Sequence, residues 1–198
     1  MEKIPEKAQN ILDFWFKETP PKKRFQKHKD FDLLIKEKFS NDYELASKNE
    51  YDDWQDSALG CLALVILFDQ FSRNIYRDTP QAFAQDSQAL AWCLEGIDKQ
   101  QDLQLEPVER VFFYLPLEHA EDIEMQDLSC RKFSDLLDDN INYQVTPSDG
   151  TYEGFYRFAE RHRDVIQKFG RFPHRNKILG RTSSEQEQEY LNTPGSGF

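Results

Sequence analysis

A chain of 198 residues is long enough for one domain with a sizeable core, and its 16 Phe, 8 Tyr and 3 Trp are far more than a disordered chain carries. A net charge of −11 excludes the basic footprint of a non-specific nucleic-acid binder and argues against docking on an anionic membrane surface. Cys61, Cys93 and Cys130 are odd in number, widely spaced and without a CxxC. They read as small core residues in a reducing compartment, not as a disulfide framework or a zinc knuckle. No apolar signal core follows the first residues, and the longest unbroken apolar run, Cys61–Phe68, is too short to span a bilayer. The expected location is the cytoplasm.

Helical periodicity runs through the chain and strand alternation is nearly absent. Ala8, Ile11, Leu12, Trp15 and Phe16 share one helix face, with Pro5 near its start. Phe31, Leu34, Ile35, Phe39, Leu45 and Ala46 form the stripe of a second helix. Ser57 to about Phe71 is apolar nearly all round, which predicts a central helix covered on several sides. Thr79-Pro80 predicts the cap and first position of a helix carrying Phe83, Ala84, Ser87, Leu90, Ala91 and Leu94. Glu106-Pro107 opens another, with Val108, Val111, Phe112 and Leu115, which Pro116 is expected to interrupt. Met125, Leu128, Phe133, Leu136 and Leu137 mark the next. Asn140–Gly150 reads as a loop. A long helix then carries Phe155, Phe158, Ala159, His162, Val165, Ile166 and Phe169 and stops at Gly170. Ser184-x-x-Glu187 predicts a capping box for a short last helix.

Roughly eight helices with short connections predict an all-α domain over 1–198: an array of antiparallel neighbours, either a bundle or an α-α superhelix like that of tetratricopeptide proteins. The tetratricopeptide signature itself is absent, since Trp54 and Leu59-Gly60 have the wrong spacing.

Charge singles out one segment. Arg157–Arg181 holds eight basic residues against two acids, a net of +6 that leaves −17 for the rest of the chain. It also holds His162 and His174. One reading is internal pairing with Asp98–Glu153, which has 14 acids and 4 basic residues. The other is an anion site, because arginine presents a planar fork of donors that matches a carboxylate or phosphate. His162 lies on the apolar face of its helix, the usual position of a core histidine. The turn Gly170–Asn176, with Arg171, His174, Arg175 and Asn176, is backbone-restricted by Gly170 and Pro173 and rich in functional side chains, as binding loops are.

Two further constellations follow. Asp69, Gln70, Arg73 and Asn74 close the apolar helix, with i, i+4 pairing of Asp69 with Arg73 and of Gln70 with Asn74. Polar groups directly after a buried run must be satisfied; they are either a structural network or the floor of a pocket. Tyr114–Asp122 contains His119 among acids, and Glu118 and Asp122 are expected in the first turn of a helix, where negative charge is favoured. No HExxH, P-loop, GxSxG or GxGxxG is present. A metal could be held only by assembly of His119, Glu121, His162 and His174 in space, so neither metal nor cofactor is expected.

These same residues carry a resemblance. Leu62–Asn74, Tyr114–Asp122, Arg161–Asn176 with Leu179-Gly180-Arg181, and the closing Pro194–Phe198 look like the motifs of the bacterial family known as domain of unknown function 924, and Asp13–Phe16 fits its opening. Gly197 departs from the second Ser expected there. The resemblance covers essentially the whole chain. It implies an all-α, tetratricopeptide-like superhelix and brings no activity with it. Its motifs fall on the three polar constellations, which suggests a shared location.

The leading expectation is therefore a polar cleft for a small anionic molecule or an acidic peptide end, lined by Asp69, Gln70, Arg73, Asn74, His119, His162, Arg171, His174, Arg175 and Asn176. The alternatives are a protein–protein interaction scaffold, and a hydrolase acting through His119 or His174.

Overall fold

The structure, a computed structural model, describes residues 4–140 and 151–197. Apart from Asn140, the loop expected at Asn140–Gly150 lies outside the described residues. All regular structure in the described residues is helical. α1 (Glu6–Leu12) runs directly into a π-helical turn, Asp13–Glu18, and is followed by α2 (Pro21–Arg24) and α3 (Lys29–Ala46). α4 (Ala58–Val65) continues through a second π-helical turn, Ile66–Phe71, into α5 (Ser72–Ile75). α6 (Asp86–Asp98), α7 (Pro107–His119), α8 (Ile123–Asp139), α9 (Tyr152–Phe169) and α10 (Glu185–Leu191) complete the order.

Local chemistry places the ends of these helices. The Ser57 hydroxyl accepts from the Gly60 amide at the start of α4. Asp122 accepts from the amides of Glu124 and Met125 at the start of α8, and Thr151 from that of Gly154 at the start of α9. Reciprocal capping boxes, Glu106 with Glu109 and Ser184 with Glu187, open α7 and α10. Gly170 ends α9 in the left-handed region at φ 67°, a conformation costly for a residue with a Cβ.

Three sequence expectations change. Pro116 does not interrupt α7 but lies inside it. Residues 111 to 118 are all buried, so packing outweighs the ~3 kcal/mol that an interior proline costs a helix. Glu118 and Asp122 do not share a first turn: Glu118 is buried in the last turn of α7, and Asp122 caps α8. Thr79-Pro80 opens only a 3₁₀ turn, Pro80–Phe83, and α6 begins afresh at Asp86.

The helix from Ala58 through Ile75 is the centre of the fold. α1, α3, α6 and α7 all pack against it. Leu62 through Phe71 are buried without exception, as the all-round apolar pattern predicts. By length and composition this 18-residue helix could cross a membrane, a property hidden from a count of unbroken apolar residues; 83% of it is buried inside the protein. Trp15, Phe71 and Phe112 meet edge-to-face above it, with Trp15 5.5 Å from each of the other two ring centroids. From α6 onward, consecutive helices pack in chain order, α6 on α7, α7 on α8 and α8 on α9. The three cysteines are free and buried.

Gly60 shows how closely the central helix is seated. A Cβ there would lie 2.2 Å from the Trp54 carbonyl oxygen, a backbone atom that cannot swing aside. Gly60→Ala is expected to lower stability by about 1–3 kcal/mol, the usual cost of overpacking, in denaturant titrations. An unchanged midpoint would mean that the turn before α4 gives way freely.

Candidate functional site

The three polar constellations converge at one end of the central helix. Asp69 and Gln70 lie in the π-helical turn Ile66–Phe71 and are buried along with the apolar residues around them. The last turn of α7 supplies Glu118 and His119. The buried face of α9 supplies His162. Beyond Gly170, the turn Phe172–Asn176 returns over the same place with His174 and Arg175.

Asp69 is the centre. Its Oδ1 lies 2.7 Å from His119 Nδ1, and Gln70 Nε2 donates to its Oδ2 at 2.6 Å. Arg73 Nη1 donates to the Asp69 carbonyl at 2.6 Å and stands 3.4 Å from the carboxylate. Burial opposes charge on Asp69, but Arg73 and then His119 outweigh it and hold the carboxyl far below the usual range. An ionised carboxylate can only accept, so His119 Nδ1 carries the hydrogen and Nε2 is left as the acceptor. Burial lowers the pKa of His119, with Asp69 pulling the other way, so the ring is neutral near pH 7.

Arg73 also makes a parallel pair of hydrogen bonds, 3.0 Å each, to the carboxylate of Asp86 at the start of α6. Arg175 approaches the same carboxylate only to 3.6 Å. Its guanidinium packs against the rings of Phe83 and Phe172, 4.9 and 4.6 Å from their centroids. The side chain is only 7% exposed, and Nε is buried without a hydrogen-bond partner among the described residues. Burial, and then Arg73 beside it, pull the guanidinium down to about 10, still charged at neutral pH.

The histidines form a row. The rings of His119 and His162 are 6.3 Å apart, His162 and Phe172 5.5 Å, and Phe172 and His174 5.6 Å. His162 Nδ1 donates to the Phe158 carbonyl at 2.9 Å and lies 3.4 Å from Glu118. Burial drives His162 well below its ordinary pKa, and takes His174 down to about 4, with Arg175 adding to the effect. Burial, reinforced by Asp69, pushes Glu118 up to about 8, so it is a neutral acid at pH 7.

A clamp seats the turn. Arg181 grips Glu121 through both nitrogens, at 2.5 and 2.9 Å, and donates to the Phe172 carbonyl; the Phe172 amide donates to Glu121 at 2.7 Å. Glu121 is therefore occupied. Among the described residues no three His, Cys, Asp or Glu side chains converge as metal ligands. Burial raises the pKa of all three cysteine thiols, that of Cys61 to about 12, which disfavours the reactive thiolate.

Of the expected site residues, Asp69, Gln70, Arg73, His119, His162, His174 and Arg175 come together. Three do not join them through any hydrogen bond. Asn74 donates to Asp32 of α3 at 2.8 Å. Arg171 makes two bonds to Glu187, at 2.6 and 2.8 Å, and pins α10. Asn176 donates to Ser183 within its own loop. Asp86, Glu118 and Phe83 belong to the site without having been singled out as binding residues. Asp86 and Phe83 lie in an ordinary-looking stretch whose only signal was the Thr79-Pro80 turn. Internal pairing describes most of the basic segment, but its partners are scattered: Glu153, Glu160, Asp164, Asp86, Glu121 and Glu187, of which only Glu121 and Glu153 lie in the acidic stretch.

Glu118 and the histidines have opposite effects on stability. Glu118 keeps its proton to about 8 in the fold and loses it near 4.5 when unfolded. Its contribution is complete below pH 4.5 and lost as pH rises to about 8. The histidines, depressed below 6.5, contribute fully above that value, and for His174 the contribution is lost as pH falls through about 4. Glu118→Gln is therefore expected to stabilise the protein at about pH 9 relative to about pH 5, by on the order of a few kcal/mol in urea melts. A wild type and variant that differ equally at both pH values would contradict a buried neutral Glu118.

Comparison with known proteins places this chain in a family. The family described as "Bacterial protein of unknown function (DUF924)" matches residues 11–195. The solved structure of a protein of unknown function from Agrobacterium tumefaciens is similar at 38% identity and a TM-score of 0.79, covering 93% of this chain and 96% of that one. No curated protein matches.

Proposed function

The chain belongs to DUF924, the bacterial family of unknown function, and for it we propose a ligand-binding role: the cluster around Asp69 takes a small molecule bearing a carboxylate or phosphate. One observation carries this reading. Arg175 is a buried cation with two aromatic rings packed against it, and yet its Nε has no hydrogen-bond partner among the described residues and its nearest carboxylate, Asp86, is 3.6 Å away. A buried guanidinium is ordinarily satisfied by hydrogen bonds, and leaving donors unmet costs about 1–3 kcal/mol. A bidentate oxyanion would meet them. Arg73, fixed by Asp86 and Asp69, adds positive charge without being free to leave its partners. His119, with a ring 17% exposed, gives access from solvent. The three buried thiols are in keeping with a reducing, cytoplasmic setting.

Inorganic phosphate and a panel of phosphorylated and carboxylated metabolites provide the test, read as ligand-induced change in melting temperature. At least one anion is expected to raise it by several degrees in the wild type, corresponding to about 2–3 kcal/mol at ligand near a hundred times Kd. Arg175→Lys, which keeps the charge and loses the fork, should lose most of that shift. Equal shifts in both proteins, or none in the wild type across the panel, would overturn the proposal.

A further inference from the structure

The His119–Asp69 pair has a geometry that anion binding does not need. Asp69 is fully buried, kept ionised by Arg73 and His119, and steadied by Gln70. It fixes the imidazole by a 2.7 Å bond to Nδ1. The His119 side chain is also 17% exposed. His162 by contrast is 2% exposed, its Nδ1 tied to a backbone carbonyl. Here Nε2 has no hydrogen-bond partner among the described residues, and the ring reaches solvent. Arg175 lies close enough for its charge to bear on His119. A held carboxylate, a histidine in one tautomer and a neighbouring anion fork are the parts of a base-catalysed reaction on an anionic substrate.

We infer that this site is catalytic: His119, oriented by Asp69, is the general base of a hydrolysis whose substrate is an ester or amide also bearing a carboxylate or phosphate. The inference rests on the anion reading above. Nε2 takes a proton from a water molecule, whose oxygen bonds to the acyl carbon. The bond from that carbon to the leaving oxygen or nitrogen breaks, and the leaving atom receives the proton from Nε2. Asp69 stays ionised throughout and stabilises the imidazolium, so it is a positioning residue and His119 the catalytic one. No oxidant, reductant or further reactant is required.

Reagents that need no knowledge of the natural substrate test the inference. Bromoacetate carries a carboxylate next to an alkylating carbon. A neutral Nε2 displaces its bromide, and the N–C bond formed is permanent. Bromoacetamide is its uncharged counterpart, and His28, on the surface, is an internal reference. Peptide mapping of the intact protein after timed exposure is expected to show His119 alkylated by bromoacetate about ten-fold or more faster than His28, and faster than by bromoacetamide. Reaction at His119 should persist below the pH range in which an ordinary imidazole protonates, because burial lowers its pKa. Asp69→Asn should slow it by several-fold and shift that pH profile, a change that loss of packing alone would not produce. If His119 reacts no faster than His28 with either reagent in the wild type, the catalytic inference is overturned, whatever phosphate does to the melting temperature. If both reagents alkylate His119 equally and faster than His28, the base stands and the anion reading fails.

Discussion

Asp69 sets the terms for the rest of the structure. It is a charged carboxylate, fully buried in the helix that also forms the apolar centre of the core. An ion taken out of water loses several kcal/mol of solvation unless partners make up the difference. Each partner that does so here belongs to a different segment or ties one in. His119 brings the end of α7. Arg73 brings Asp86 and with it the start of α6. Asp86 in turn draws Arg175, and so the turn after α9. One buried charge therefore connects four parts of the chain that are far apart in sequence.

What surrounds this charge is mostly neutral by virtue of burial. His119, His162 and His174 are all depressed below their ordinary pKa, and Glu118 is raised. Asp69, Arg73 and Arg175 keep their charges among them. In a medium of low dielectric such charges act strongly on anything that enters. Arg175 packs against two rings, and the turn carrying it is clamped by Glu121 and Arg181. The cluster is therefore preorganised, as the proposed binding of an anion would require.

The hydrophobic scaffold serves this arrangement in a specific way. Burial of residues 111 to 118 carries α7 past Pro116 and so brings Glu118 and His119 to the end of the central helix. Had the proline ended the helix, as local preference predicts, both side chains would leave the site. The π-helical turn at Ile66–Phe71 changes the register of the central helix within the stretch that contains Asp69 and Gln70. Gly170 then reverses the chain at the end of α9, a step that its positive φ makes possible.

Much of this was legible from local patterns. The stripe of α9, the all-round apolar helix beginning at Ser57, the capping box at Ser184 and the stop at Gly170 follow from side-chain spacing and backbone sterics, which a sequence carries within a few residues. Asp69, Arg73, His119, His162, His174 and Arg175 could be singled out because polar groups inside apolar runs need partners. Who those partners are was not legible. Asp86 looks like any acid in an acidic chain, and Asn74, Arg171 and Asn176 look as suited to a site as their neighbours until Asp32, Glu187 and Ser183 claim them. The sequence alone determined most of the helices and which polar side chains must be satisfied, since both depend largely on short-range geometry and solvation. Only the tertiary structure decided that His119 meets Asp69 and that Arg175 Nε is left unmet, because pairing across 50 or more residues depends on how the helices pack.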